Sequence, residues 1–187
     1  MKKIILILVS LVVTVATISI MTKELTSAEG NESKQVFEIT SVADVVKDKL
    51  IEFKYKENGE EKSFSELAKG KVVFLNFWGT WCPPCRGEIP DIMKIQNELS
   101  KKDIIIAGVA LERNTTKDKF AKVDNFHSTN KMNYINFVDV DNKLNAAYGG
   151  MRYVPTTLII DKNGNIKEVI QGARSYESFM ESIKKVL

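Results

Sequence analysis

The chain has 187 residues with 27 basic and 24 acidic side chains, a net charge of +3, two cysteines and one histidine. Without residues 1–28 (which carry Lys2, Lys3, Lys23 and Glu24) the balance is 24 basic to 23 acidic, which leaves no electrostatic footprint for nucleic acid. One histidine and two cysteines cannot furnish the four soft ligands of a structural zinc site, and no metal is expected.

Lys2 and Lys3 precede an uncharged, mostly aliphatic stretch from Ile4 to Met21. As a helix it would span about 27 Å, close to a bilayer core. A removable secretory signal and a retained anchor both fit. The run is long for a signal, and its best small-residue cleavage pattern, Thr26-Ser27-Ala28, lies beyond the charged Lys23 and Glu24, which favours an anchor over residues 1–21. No cysteine lies near the end of the run, which argues against lipidation. The expected location is the cell membrane, single-pass, with the C-terminal part extracytoplasmic; cleavage would instead release a secreted or periplasmic protein. Residues 22–35 are polar and read as a tether, and residues 36–187 have the size of one domain. In an oxidising compartment further disulfides were open to this chain, so with two cysteines the domain must rest on its apolar core.

Ile51 to Lys56 alternates as a strand, and Glu57-Asn58-Gly59-Glu60 turns it back into an N-terminal hairpin. Phe64 to Lys69 reads as a short helical turn ending at Gly70. A continuous apolar strand from Lys71 to Trp78, a helix from Pro84 to Leu99 and an apolar run from Asp103 to Leu111 make a βαβ unit with parallel strands. Thr115 to Thr129 is expected to be helical, Ile135 to Val140 a short strand, and Leu144 to Tyr148 a turn of helix stopped by Gly149-Gly150. Thr156 to Asp161, a turn at Lys162-Asn163-Gly164-Asn165, and Ile166 to Gln171 form a β-hairpin, and a helix is expected from Tyr176 to the C-terminus. The plan is α/β, a βαβ half joined to a ββα half.

Both cysteines lie in Trp81-Cys82-Pro83-Pro84-Cys85-Arg86, between the apolar strand and the helix. A disulfide closing so short a loop gains little chain-entropy stabilisation, so the pair reads as a redox-active dithiol, which carries its own electrons and needs no cofactor. Cys82 faces the unsatisfied N–H groups of the helix start, where the helix dipole favours thiolate and makes it the attacking sulfur. Cys85 is placed to resolve the mixed disulfide. Pro83 suits the first helical position and pushes Cys82 into the extended conformation of a cap. Neither Pro83 nor Pro84 has an N–H, so the first local donor to the Cys82 sulfur is the Cys85 amide. Weaker thiolate stabilisation makes the reduced form less stable, hence a reductant.

The run Phe74-Leu75-Asn76-Phe77-Trp78-Gly79-Thr80-Trp81-Cys82, followed by Pro84-Cys85, Glu88 and Pro90, then Val154-Pro155-Thr156-Thr157 and the Asp161-Lys162-Asn163-Gly164 turn, resembles the thioredoxin superfamily, and within it the exported TlpA/ResA-like group. The resemblance covers roughly residues 50 to 187. It implies a thioredoxin-like fold: a central mixed β-sheet flanked by helices, with an N-terminal hairpin and an insertion between the two halves, for which Asp103 to Gly150 leaves room.

In thioredoxins a buried aspartate on the strand before the motif is the usual base for the resolving cysteine, but the matching position here is Asn76, which cannot titrate. Glu88, three residues after Cys85 and about 60° round the helix, can take that role, as the resemblance to ResA-like proteins implies. The alternative is an exposed glutamate that favours the helix dipole. The resemblance also implies a cis Val154–Pro155 bond packed against the dithiol, with the Val154 backbone, Thr156, Pro83 and Pro84 forming the substrate contact and extended substrate adding as a strand. Trp81 and Trp78 are candidates for an apolar rim, each with a core alternative. Met151 and Tyr153 are candidates for lining the proline loop. Arg86 either tunes the site or is a solvated charge, Pro90 is structural, and His127, in a polar segment, is expected at the surface.

The expected activity is protein-disulfide reduction by an extracytoplasmic, membrane-tethered oxidoreductase. Its partners are a disulfide-containing exported protein, by resemblance apocytochrome c before haem attachment, and a membrane electron-donor protein. An oxidase or isomerase of the same fold and a copper-binding module are the alternatives.

Overall fold

The computed structural model describes residues 35–187. The anchor expected over residues 1–21, and all of the expected tether except Gln35, lie outside those residues.

Eight strands form one mixed sheet in the order β3-β2-β1-β6-β5-β4-β7-β8. The chain enters it through β1 (Val36–Val42), which pairs antiparallel with β2 (Phe53–Glu57). The two-residue turn Asn58-Gly59 leads into β3 (Glu60–Ser63), and both turn residues have positive φ, the mirror-type turn whose twist matches a hairpin. Ser63 caps the short helix α1 (Phe64–Ala68) by accepting from the Glu66 amide.

At the centre of the sheet, β4 (Val72–Trp78) is buried at all seven positions, because it lies between two neighbours and under helices on both faces. Its period of two divides the core. Phe74 and Trp78 pack with Ile89 and Ile92 of α2 (Pro83–Leu99), Val123 of α3 (Lys119–Thr129) and Phe179 of α5 (Tyr176–Lys184). Val73, Leu75 and Phe77 pack on the other face with Phe64 and with Leu144 of α4 (Lys143–Ala147). Asn76 falls on the α2 face, a polar side chain in an apolar layer.

β4 and β5 (Ile104–Ala110) run parallel, as expected of a βαβ unit. Between β5 and β7 (Thr156–Ile160) the chain makes α3, β6 (Ile135–Val138) and α4, and β6 enters the sheet between β5 and β1. That is the insertion implied by the resemblance. The β7–β8 (Ile166–Gln171) hairpin closes the far edge, with β7 antiparallel to β4.

Three details differ from the sequence reading. The sequence pattern predicts no element over Val36–Val42, where burial of both Val36 and Phe37 breaks the alternation that marks a half-buried strand. Helix α3 starts at Lys119, because Asp118 caps it by accepting from the Ala121 amide at 2.9 Å. His127 is in the core: one turn after the buried Val123, it places Nε2 3.2 Å from the Tyr134 carbonyl.

Candidate active site

Helix α2 begins at the dithiol. Cys82 is its N-cap residue, extended at φ −97° and ψ 107°, with Pro83 and Pro84 as the first two helical residues. The Cys85 amide donates to Cys82 Sγ at 3.2 Å, the donor expected once two prolines have removed the earlier ones. The two cysteines are joined as a disulfide, the oxidised state of the pair, and both are buried. The Cys82 amide donates to the Gly79 carbonyl at 3.1 Å and the Arg86 amide to the Cys82 carbonyl at 3.1 Å, so the sulfur-bearing turn is fixed on both sides.

Glu88 lies one turn past Cys85 on the buried face of α2 and is only 2% exposed, which removes the solvated reading of this residue. Its Oε1 accepts from Asn76 Nδ2 at 2.9 Å, and the same amide group donates to Thr157 Oγ1 at 3.0 Å. Three segments, β4, α2 and β7, therefore meet at one buried polar cluster behind the disulfide. Burial pushes the Glu88 carboxyl up to about 7, against a smaller opposing pull from the Asn76 hydrogen bond and from Arg174. A carboxyl poised there exchanges its proton near neutral pH, as a general base must. Tyr134 lies close enough for the Glu88 charge to add to the burial that raises its hydroxyl.

In front of the disulfide, the Val154–Pro155 peptide bond is cis and the Val154 carbonyl oxygen stands 3.6 Å from Cys82 Sγ. Pro155 is buried beneath it, and Val154 is half-buried at the surface of the site. Thr156 is buried with its hydroxyl donating to the Tyr153 carbonyl at 2.8 Å, so its side chain holds the loop. Pro83, Pro84 and Arg86 are exposed along the first turn of α2.

The two tryptophans separate cleanly. Trp78 is buried, its indole N–H donating to Asn136 Oδ1 at 2.9 Å, and takes no part in a rim. Trp81 is 37% exposed, and its indole N–H donates to the Leu111 carbonyl at 2.9 Å. Gly79 makes that pose possible: a Cβ there would come within 2.6 Å of Trp81 Nε1 and 2.9 Å of the Leu111 oxygen.

Residues 46–169 match the AhpC/TSA family. The chain belongs to that family. It is 40% identical over 133 residues to the thiol-disulfide oxidoreductase ResA of Halalkalibacterium halodurans, covering 67% of this chain and 69% of that one. It is 35% identical over 132 residues to the thioredoxin-like protein YneN of Bacillus subtilis, covering 71% of this chain and 75% of that one. Among solved structures, a thiol:disulfide interchange protein of the thioredoxin family from Chlorobium tepidum superposes with a TM-score of 0.64 at 31% identity, over 77% of this chain and 99% of that one. With its Cys82–Cys85 pair at the head of a helix, this chain is a thiol–disulfide oxidoreductase of thioredoxin-like fold.

One site residue had no sequence signal strong enough to single it out. Glu112 follows the apolar run of β5 and is buried, where its Oε1 accepts from the Thr80 amide at 2.8 Å and its Oε2 pairs with Lys122 Nζ at 2.8 Å. It ties the loop before the cysteines to β5 and α3. A charged residue at the end of the apolar run Ile104 to Leu111 is the only hint the sequence holds.

Proposed function

We propose that the protein is an extracytoplasmic, membrane-tethered reductant of disulfides in exported proteins. The observation that carries the direction is the environment of Cys82: its sulfur caps α2 yet takes its local backbone hydrogen bond from Cys85 alone, because Pro83 and Pro84 have no N–H to give. A thiolate stabilised that sparingly makes the reduced couple a better electron donor.

The reaction runs in two exchanges. The Cys82 thiolate attacks one sulfur of the substrate disulfide, forming a mixed disulfide and expelling the other substrate sulfur as thiolate. Cys85 then gives its proton to the Glu88 carboxylate and attacks Cys82 Sγ. The bond to substrate breaks, the second substrate thiol leaves, and the Cys82–Cys85 disulfide forms. Two electrons pass from the dithiol to the substrate. A membrane electron-donor protein restores the dithiol by the same exchange in reverse. The Val154 backbone at the mouth of the site is suited to pairing with extended substrate, which gives affinity with little demand on sequence.

The N-terminal lysines and apolar run support the tether and the extracytoplasmic location. The resemblance to ResA-like proteins makes apocytochrome c, whose haem site is a Cys-x-x-Cys-His dithiol, the candidate substrate. The test is trapping. In full-length Cys85→Ser the mixed disulfide at Cys82 cannot be resolved, so oxidised substrate should accumulate on it as a species that reductant releases. Cys82→Ser should trap nothing. Equal trapping by both variants, or by neither, would defeat the reading.

A further inference from the structure

A groove of about 540 Å³ runs from the site along the tips of β5 and the proline loop. Trp81, Arg113, Met151, Arg152 and Tyr153 line it together with Val154, whose carbonyl stands 3.6 Å from Cys82 Sγ. The groove therefore opens beside the sulfur that a polypeptide disulfide has to reach.

The charges of the groove are one-sided. Its only carboxylate is Glu112, which is buried and spent on the Thr80 amide and on Lys122. Arg113 and Arg152 are exposed and neither forms an ion pair among the described residues. Arg113 is also preorganised, its guanidinium 4.8 Å from the centre of the Trp81 ring, which is itself fixed by the bond to Leu111. Two guanidiniums lining one groove, with the aromatic side chains of Trp81 and Tyr153 beside them, fit an extended chain that carries a carboxylate close to its cysteine.

We infer that this groove is the specificity subsite of the oxidoreductase and selects disulfides flanked by acidic residues, with Arg113 and Arg152 as the selecting groups. The inference rests on the reading of the protein as a reductase of polypeptide disulfides. The carboxylate binds and does not react, so it leaves the two exchanges unchanged and acts on their substrate.

The test uses the reduced full-length protein and two disulfide-bonded peptides, identical except for Glu or Lys beside the cysteine. The Glu peptide should have a kcat/KM about tenfold above the Lys peptide, with the ratio shrinking at about 0.5 M salt. Arg113→Glu and Arg152→Glu should each lower the ratio, and the double variant should invert it, which a loss of folding cannot do. A ratio near one in the unaltered protein, or one that neither substitution moves, would overturn the inference while leaving the reductase reading intact. The same peptides with serine for cysteine separate the two ideas by quenching of tryptophan fluorescence. Charge-selective binding without reduction of either disulfide peptide would sustain the subsite and sink the reductase.

Discussion

Replacing Glu88 with glutamine removes a charge from the core at nearly constant volume. The carboxyl is buried, and burial raises it from 4.5 to about 7. A folded state that holds its proton more tightly than the unfolded chain is most stable below pH 4.5 and loses that advantage as pH rises through 7. At 1.36 kcal/mol per pH unit the loss amounts to about 3 kcal/mol. Glutamine keeps an oxygen to accept from Asn76 and has no proton to lose. Oxidised full-length Glu88→Gln should therefore gain about 3 kcal/mol relative to the unaltered protein between pH 4.5 and 8, read from denaturant midpoints across that range. The same change should slow resolution of the mixed disulfide by about a hundredfold at pH 7 and abolish the limb of the pH–rate profile near 7. Activity should recover only at a pH high enough to ionise the Cys85 thiol without the help of a base. Parallel stability profiles for the two proteins would refute the placement of a titrating carboxyl in the core, and an unchanged rate limb would remove Glu88 as the base.

Three further substitutions probe the frame around the dithiol. Asn76→Asp exchanges the donor 2.9 Å from Glu88 for a second carboxylate, so the pair should share a proton and the rate limb should move above pH 7. Gly108→Ala would put a Cβ 2.1 Å from Asn136 Oδ1 and 2.8 Å from Trp78 Nε1, breaking the bond that crosses β5 there; a loss of about 2–4 kcal/mol is expected in denaturant unfolding. Lys122→Met leaves the Glu112 carboxylate buried without its cation and should lower Tm, with Glu112→Gln in the same protein restoring part of the loss.

The site was legible where local chemistry dictates it. A seven-residue run that is apolar except for Asn76 and too short for a buried helix reads as a central strand, and two cysteines after it with proline at the first helical position mark a helix start. The period of two also placed Asn76 on the same face as Phe74 and Trp78. What it meets there was not legible, since Glu88 and Thr157 arrive from 12 and 81 residues away. For the same reason Glu88 could be read as solvated and His127 as exposed: the polarity of a segment does not reveal that tertiary packing will bury its one inward-facing polar side chain. The basic groove is the plainest case. Arg113 and Arg152 lie in separate loops, and only the parallel β4–β5 pairing and the proline loop bring them to one groove.

The direction of electron flow is the central claim, and the reduction potential of the full-length protein tests it most directly. Equilibration of the Cys82–Cys85 pair in dithiothreitol or glutathione redox buffers should give a value well below about −230 mV, among couples that donate electrons and need a supply of their own. A value above about −180 mV would contradict the account and make the protein an oxidase or isomerase.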